Sequence, residues 1–123
     1  MGLTTLKRRA EFLRVRGGFR WSTPTLVLEA KPRGWDAAAA PETQGARFGY
    51  TVSKKVGKAV VRNRVRRRLK AATRELMDSA LPGYDYVIIA RPAAAERSYA
   101  ELRSDLAQAL SRVNRAAAAG RPR

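Results

Sequence analysis

The sequence predicts an α+β fold, an α/β sandwich in which three helices pack on a small, mainly antiparallel sheet. Apolar residues recur at helical spacing in three separate segments, whereas residues 47–53 alternate between apolar and polar. Residues 84–91 form a near-continuous apolar run, which is typical of a central strand buried on both faces. The chain order is therefore α-β-β-α-β-α, with room for one additional short strand. A chain of 123 residues can bury one modest core. We therefore expect a single domain over 1–123, ordered from about 4 to 115.

The first half of the chain predicts one helix and one strand before a long loop. The helix runs to about Val15, with Thr4 or Thr5 as its cap and two glycines at 17–18 to end it. A short strand follows over 25–31. Residues 32–46 contain several alanines, prolines and glycines without apolar periodicity. A loop of this length is uncommon in a compact domain, and we expect it to be mobile.

The second half predicts two strands and two longer helices. The alternating strand covers 47–53, and a helix over about 59–80 follows it and ends at Pro82 and Gly83. The apolar strand covers 84–91. The last helix begins at Ser98, whose spacing to Glu101 is that of a capping box. Residues 116–123 are expected to fray.

The composition indicates a polyanionic partner. Lys and Arg total 26 against 10 for Asp and Glu, which gives a formal net charge of +16. Histidine and cysteine are both absent, which removes the commonest general base and the usual thiolate metal ligands. No run of eighteen apolar residues could cross a membrane, and the basic N-terminus lacks the apolar stretch of a secretory signal. We therefore expect a cytoplasmic protein.

The segment 54–74, KKVGKAVVRNRVRRRLKAATR, carries the functional prediction. On a helical wheel, Val61, Val65 and Leu69 form an apolar stripe with Ala72 and Leu76, and the rest of the surface is almost wholly cationic. No acid lies between Glu42 and Glu75. A solvated charged helix usually alternates Glu with Lys or Arg, because i,i+4 pairs of opposite charge stabilise it by about 0.2–0.5 kcal/mol each. Here the neighbours at those spacings repel, which favours a site whose partner supplies the missing negative charge over a merely solvated face.

Nucleic acid fits this surface better than a membrane does. Arginine outnumbers lysine in the helix, and its guanidinium binds phosphate through two parallel hydrogen bonds. The apolar stripe holds Val and Ala instead of the bulky anchors of an interfacial helix. Asn63, which two arginines flank, could bond a base edge or a ribose hydroxyl, or could merely cap the helix locally. No helix-turn-helix spacing is present, so DNA is not expected as the partner.

The stretch SKKVGKAVVRNRVRRRLKAATRE, over 53–75, resembles the RNR signature of bacterial ribonuclease P protein components. Three flanking segments resemble the same family in the same order: LKRRAEFLRV at 6–15, RFGYTVSKK at 47–55 and GYDYVIIAR at 83–91. The resemblance covers about residues 6–112. It departs from the family at Arg16, where many members carry an aromatic residue, and in the length of the loop at 32–46.

The resemblance implies a fold, a reaction and two sites. The fold would contain a left-handed βαβ crossover, against the usual right-handed rule. The protein would bind the ribonuclease P RNA subunit and precursor tRNA, and assist removal of the 5′ leader by hydrolysis of one phosphodiester bond. The catalytic residues would lie in the RNA, which would also hold most of the Mg²⁺. The RNA-subunit contacts would be Lys54, Lys55, Lys58, Arg62, Asn63, Arg64, Arg66, Arg67, Arg68 and Lys70. The leader-binding cleft would contain Phe12, Arg16, Phe48 and Tyr50.

Other interpretations fit some of the same residues. The three aromatic residues assigned to the cleft are equally compatible with plain core packing. A ribosomal or other structural RNA-binding protein of similar fold would share the composition. A protein-only nuclease is disfavoured because the ten carboxylates are scattered and no histidine is present.

Overall fold

The computed structural model describes residues 4–7, 9–32 and 45–119, which form three helices and five strands. Single 3₁₀ turns at Met77–Ser79 and Pro92–Ala95 precede the last strand and the last helix, respectively. In chain order the elements are β1 (Thr4–Thr5), α1 (Arg9–Val15), β2 (Phe19–Ser22), β3 (Leu26–Pro32), β4 (Arg47–Thr51), α2 (Ala59–Glu75), β5 (Tyr84–Ala90) and α3 (Tyr99–Ala118).

The sheet has the strand order β1-β4-β5-β3-β2, with β5 at its centre. Strand β5 pairs antiparallel with β3, and β3 pairs antiparallel with β2. Strands β4 and β5 are parallel, so α2 is the crossover of a βαβ unit. The two-residue β1 adds a second parallel pair at the edge. Among the four longer strands two of three pairings are antiparallel, which confirms the predicted α+β class; the hand of the crossover stays a prediction.

Helices cover both faces of the sheet. The main core lies between one face and the helices α2 and α3, and includes Phe48, Leu69, Tyr86, Ile88 and Leu106. A smaller cluster lies beneath α1 on the opposite face, where Leu6, Val15 and Val87 are buried and Phe12 and Ile89 pack against them. Successive residues of a strand point to opposite faces, so β5 contributes to both clusters. This double burial explains its near-continuous apolar sequence.

The helix predicted from Thr4 or Thr5 begins later, at Arg9. Residues 4–5 instead form β1, and the chain stays extended long enough for the Leu6 amide to donate to the Phe48 carbonyl at 2.7 Å. The short strand β2 is, like β1, absent from the three predicted strands, so the structure has two additional short strands where the sequence left room for one. Its mixed apolar and polar residues are too few to show a clear alternation.

Helix α2 is also shorter than predicted, since it ends at Glu75 and not near residue 80. The Leu76 amide bonds both the Ala72 and the Thr73 carbonyls, and the tighter 3₁₀ turn follows. Helix α3 has the predicted capping box at Ser98 and Glu101, and it continues to Ala118, further than the expected start of fraying. The predicted loop begins with Pro32 in β3, and its residues 33–44 lie outside the described part of the chain.

Candidate nucleic-acid interface

Helix α2 packs its apolar stripe on the sheet and turns a cationic face outward. Val65, Leu69 and Ala72 are buried, as the helical wheel predicts, while Val61 and Leu76 are partly buried at the edges. The first turn contains no acid, and the N-cap residue Lys58 makes no side-chain cap. The helix dipole disfavours cations at the N-terminus of a helix. Since no acid lies in the first turn either, the helix does not compensate the positive charge of this surface. The side chains of Lys54, Lys55, Lys58, Asn63 and Arg67 are exposed, and those of Arg62, Arg64, Arg66, Arg68 and Lys70 are partly covered.

The loop that leads into α2 requires a glycine at position 57. Its φ of 154° is one that residues with a side chain rarely adopt. A Cβ at this position would lie 2.9 Å from Cγ1 of Val61, which packs at the edge of the core. Glycine therefore lets the chain turn tightly and bring the lysines of 54–58 next to the first turn of the helix.

Two arginines of the cationic segment also hold neighbouring backbone. Arg64 donates through Nη2 to the Ala95 carbonyl at 3.2 Å, and Arg68 donates to the Arg97 carbonyl at 3.5 Å. The Nε atoms of Arg62 and Arg64 are buried and make no hydrogen bond within the described residues. The helical wheel alone placed Arg64 on the outer surface of α2. In the structure its side chain instead turns partly inward and helps to hold the turn before α3.

A hollow of about 500 Å³ lies on the outer face of α2. Within it, Arg66 donates through Nη1 to Oδ1 of Asn63 at 3.1 Å, which leaves the Asn63 amide nitrogen directed elsewhere. Asn63 is thus part of the cationic face and does not cap the helix, whose N-cap is Lys58. The residues that line this hollow are Val60, Asn63, Arg66, Arg67 and Lys70.

A second concave surface, of about 530 Å³, lies beside α1 on the other side of the sheet; we call it the α1 cleft. Phe12 packs directly against β4 at Gly49, where a Cβ would lie 2.6 Å from Cε2 of the ring. Arg16 is exposed and lines this cleft. The cleft is lined by Lys7, Arg9, Phe12, Leu13, Arg16, Glu29, Tyr50, Thr51, Val52, Val87 and Ile89.

The assignment of Phe48 to a leader-binding cleft is wrong. The predicted alternation of β4 is present, but the face shared by Phe48, Tyr50 and Val52 is the one that packs under α2 and α3. Phe48 is fully buried and stacks on Tyr86, with ring centroids 4.9 Å apart. An incoming base could not reach this ring without opening the core.

Tyr50 lies between the two surfaces. It lines part of the α1 cleft, but its ring lies on the α2 side of the sheet, where Nζ of Lys70 is 5.9 Å from the ring centroid. Burial raises the pKa of the Tyr50 hydroxyl, while Thr73 and Arg74 nearby act in the opposite direction. Phe12 is therefore the one predicted aromatic residue whose ring covers the cleft face of β4.

An ion-pair network that sequence reasoning missed holds α1 in place. Arg47 on β4 donates to both carboxylate oxygens of Asp85 on β5, at 2.9 and 2.8 Å, and to Glu11 on α1 at 3.0 Å. Glu11 also accepts from the Lys7 amide at 3.0 Å. The pKa of the Arg47 guanidinium is raised, mainly by the hydrogen bond to Asp85, although burial alone would lower it. The residue before Phe12 is thus tied to the sheet, which fixes the orientation of the helix that carries the ring.

The sequence also missed the apolar floor and part of the rim of the cleft. Val87 and Ile89 come from the strand predicted to be buried on both faces, yet both line the cleft. Leu13 is 42% exposed at the same place. The adjacent cations Lys7 and Arg9 lie in a basic N-terminal segment that the sequence did not assign to a site.

The fold and the cationic face of α2 define a class of small, basic α/β sandwich proteins whose surface charge suits a polyanion such as nucleic acid. Residues 3–114 match the family described as Ribonuclease P. The chain is 47% identical to the ribonuclease P protein component of Paramagnetospirillum magneticum over 114 residues, which are 90% of this chain and 83% of that protein. It is 39% identical to that of Ruegeria pomeroyi, over 92% and 88% of the two chains. The RNase P protein from Thermotoga maritima has a similar structure, with a TM-score of 0.70 and 25% identity over 90% of this chain and 96% of that one.

The chain belongs to the ribonuclease P protein family. It is a protein subunit of the ribonuclease P endoribonuclease, in which RNA carries out catalysis, and its partner is the ribonuclease P RNA. The resemblance seen at 53–75 is therefore confirmed, and a ribosomal-type structural protein is not favoured. No helix among the described residues is long and apolar enough to cross a membrane.

Proposed function

We propose that this subunit uses two separate surfaces: the cationic face of α2 binds the ribonuclease P RNA, and the α1 cleft holds the 5′ leader of precursor tRNA. The observation that carries the proposal is the cleft itself. It combines an aromatic ring, an apolar floor and cations at its edge, and it lies on the sheet face opposite the main core.

The composition of the cleft suits a single RNA strand of varied sequence. Stacking of a base on an aromatic ring contributes about 1–3 kcal/mol and tolerates any base, since every base has a π-face. Phe12 supplies this ring, while Lys7, Arg9 and Arg16 are placed to meet phosphates. Apolar residues of α1 and β5 add contacts beside the ring. Only the precursor carries a leader, so contacts here favour substrate over mature product.

The cationic face of α2 would act mainly through charge. Each phosphate that it neutralises releases counterions, which strengthens binding and makes it dependent on salt. Arg67 and the lysines of 54–58 are exposed and can approach phosphate oxygens. Neutralising phosphates in this way also lets RNA segments of the holoenzyme lie closer together.

The chemistry of the reaction is hydrolysis of one phosphodiester bond, with the leader as the leaving group. Among the described residues no three acidic side chains come together to hold a metal ion. We assign the Mg²⁺ of the reaction mainly to the RNA, whose phosphates supply the oxygen ligands that this ion prefers. The protein contributes positioning and electrostatics. Since its substrate is precursor tRNA, the subunit would act in the cytoplasm.

The proposal is tested by replacing Phe12 with leucine and measuring holoenzyme affinity for precursor tRNA and for leaderless tRNA. Leucine keeps an apolar side chain on the sheet but removes the stacking surface. We expect the ratio of the two affinities to fall about fivefold or more, because at least about 1 kcal/mol of stacking is removed.

Trp21→Leu provides the matched control. Trp21 is an aromatic residue of β2 that packs against the main core under α3, with Arg112 5.1 Å from its ring. Its replacement should leave the affinity ratio unchanged. An unaltered ratio in Phe12→Leu, in a protein with normal thermal stability, would rule out the cleft as the leader site.

A further inference from the structure

Val60 is a large apolar residue on the largely cationic outer surface of α2. It is 78% exposed, whereas Val61, Val65 and Leu69 turn toward the sheet. A β-branched residue is a weaker helix former than Ala, Lys or Arg, because its rotamer is restricted against the preceding turn. An apolar side chain exposed to this degree also gains little from folding. Within the described chain Val60 therefore has neither a propensity nor a packing reason to be valine.

The neighbours of Val60 on the helix form a recognisable set. Val60, Asn63, Arg67 and Lys70 are separated by three, four and three residues, so they form one stripe along the helix. At about 100° per residue this stripe lies roughly opposite the buried stripe centred on Val65 and Leu69. The hollow of about 500 Å³ is built on it, with Arg66 beside it. One apolar side chain, one amide and three cations thus surround the same space.

The amide has a defined role in this set. Arg66 donates to Oδ1 of Asn63, so the oxygen is engaged and the Nδ2 hydrogens remain available to donate. A ligand here must therefore offer an acceptor to Asn63, an apolar or π-surface to Val60, and negative charge to Arg67 and Lys70. A nucleotide has all three features, in its base or ribose oxygens, the face of its base or sugar, and its phosphate.

We propose that the hollow at Val60 is a site for one unstacked nucleotide of the ribonuclease P RNA. The proposal rests on the assignment of α2 to that RNA and adds the ligand, its orientation and a contact without charge. The base or ribose packs on Val60, an oxygen accepts from Asn63 Nδ2, and the adjoining phosphates meet Arg67 and Lys70. Since paired bases are stacked within a helix, the nucleotide comes from a loop, a bulge or a junction.

Because Val60 carries no charge, its contribution can be separated from that of the phosphate contacts. Affinity for the isolated RNA subunit is measured over a range of salt concentrations for the intact protein and for Val60→Thr, Val60→Ala and Arg67→Gln. Threonine keeps the β-branched shape, and the exposure of residue 60 means that thermal stability should not change. We expect both Val60 variants to bind about three- to tenfold more weakly, because apolar burial equivalent to about a methylene or two is removed. The slope of log affinity against log salt concentration should stay unchanged, since no charge is lost. Arg67→Gln should reduce both the affinity and the slope.

Four other results would contradict the inference, each for a different reason. Val60 variants that bind like the intact protein, beside a weakened Arg67→Gln, would reject the nucleotide site and leave α2 as the RNA-binding face. Unchanged binding in all three variants would reject that face as well. A changed slope in the Val60 variants would mean that Val60 only arranges the cations. A photocrosslinker placed at residue 60 should react with one unpaired nucleotide, and reaction spread over paired regions would also overturn the proposal.

Discussion

Gly49→Ala tests the packing on which the geometry of the α1 cleft depends. The added Cβ would lie 2.6 and 2.7 Å from two atoms of the Phe12 ring and 3.1 Å from Cδ1 of Leu6. Carbon atoms attract best at about 3.5–4.0 Å, so the ring must move or the strand must shift. Overpacking of this kind destabilises by about 1–3 kcal/mol. We expect that decrease in the free energy of unfolding, measured by urea denaturation, with an unchanged denaturant slope.

A double-mutant cycle with Phe12→Ala isolates the cause. Without the ring the two shortest contacts of the alanine at 49 are gone and the 3.1 Å contact with Cδ1 of Leu6 remains, so most of its cost should disappear. The coupling energy between the two substitutions should therefore be about 1–2 kcal/mol, within the range measured for residues in direct contact. Gly49→Ala should also weaken the preference for leader-bearing tRNA, because the displaced ring no longer faces the cleft correctly. An equal cost of Gly49→Ala with and without the ring would refute the placement of Phe12 on this face of β4.

Three further predictions concern charge. Arg67→Gln should lower the slope of log affinity for the RNA subunit against log salt by about 0.7–0.9 for each phosphate that the protein no longer neutralises, and an unchanged slope would show that Arg67 binds no phosphate. Glu11→Gln should destabilise the fold by about 1–2 kcal/mol in urea melts, because Arg47 loses a charged hydrogen-bond partner, and an unchanged stability would mean that this pair does not hold α1. Burial raises the pKa of Tyr86 to about 12 from 10.0, so between those values the unfolded chain releases a proton that the folded chain keeps. Stability should therefore fall as pH rises above 10, and phenolate absorbance that shows every tyrosine titrating near 10 in the folded protein would contradict this.

The sequence predicted best what depends on periodicity within one element. The stripe of Val65, Leu69 and Ala72 located both the buried and the cationic sides of α2, because a single helix fixes those angles. The spacing of Ser98 and Glu101 likewise predicted the capping box, which forms within one helical turn. Local rules were sufficient for both features.

Features that depend on how elements meet were harder to predict. Alternation in β4 correctly grouped Phe48 with Tyr50, but it could not indicate which face of the sheet α1 covers and which face α2 and α3 cover. Phe48 was therefore assigned to the cleft when it lies in the core. The pairing of Arg47 with Asp85 and Glu11 joins three elements that are far apart in sequence. No pattern within any one of those elements distinguishes a paired arginine from the other cations of a chain with net charge +16.

Cleavage of precursor tRNA by a bacterial ribonuclease P RNA at low Mg²⁺, with and without this protein, tests the central claim most directly. We expect the protein to stimulate release of the 5′ leader, and the stimulation to require the RNA subunit. Tight RNA binding without stimulation would contradict a role in cleavage, and leader release by the protein alone would contradict the assignment of catalysis to RNA.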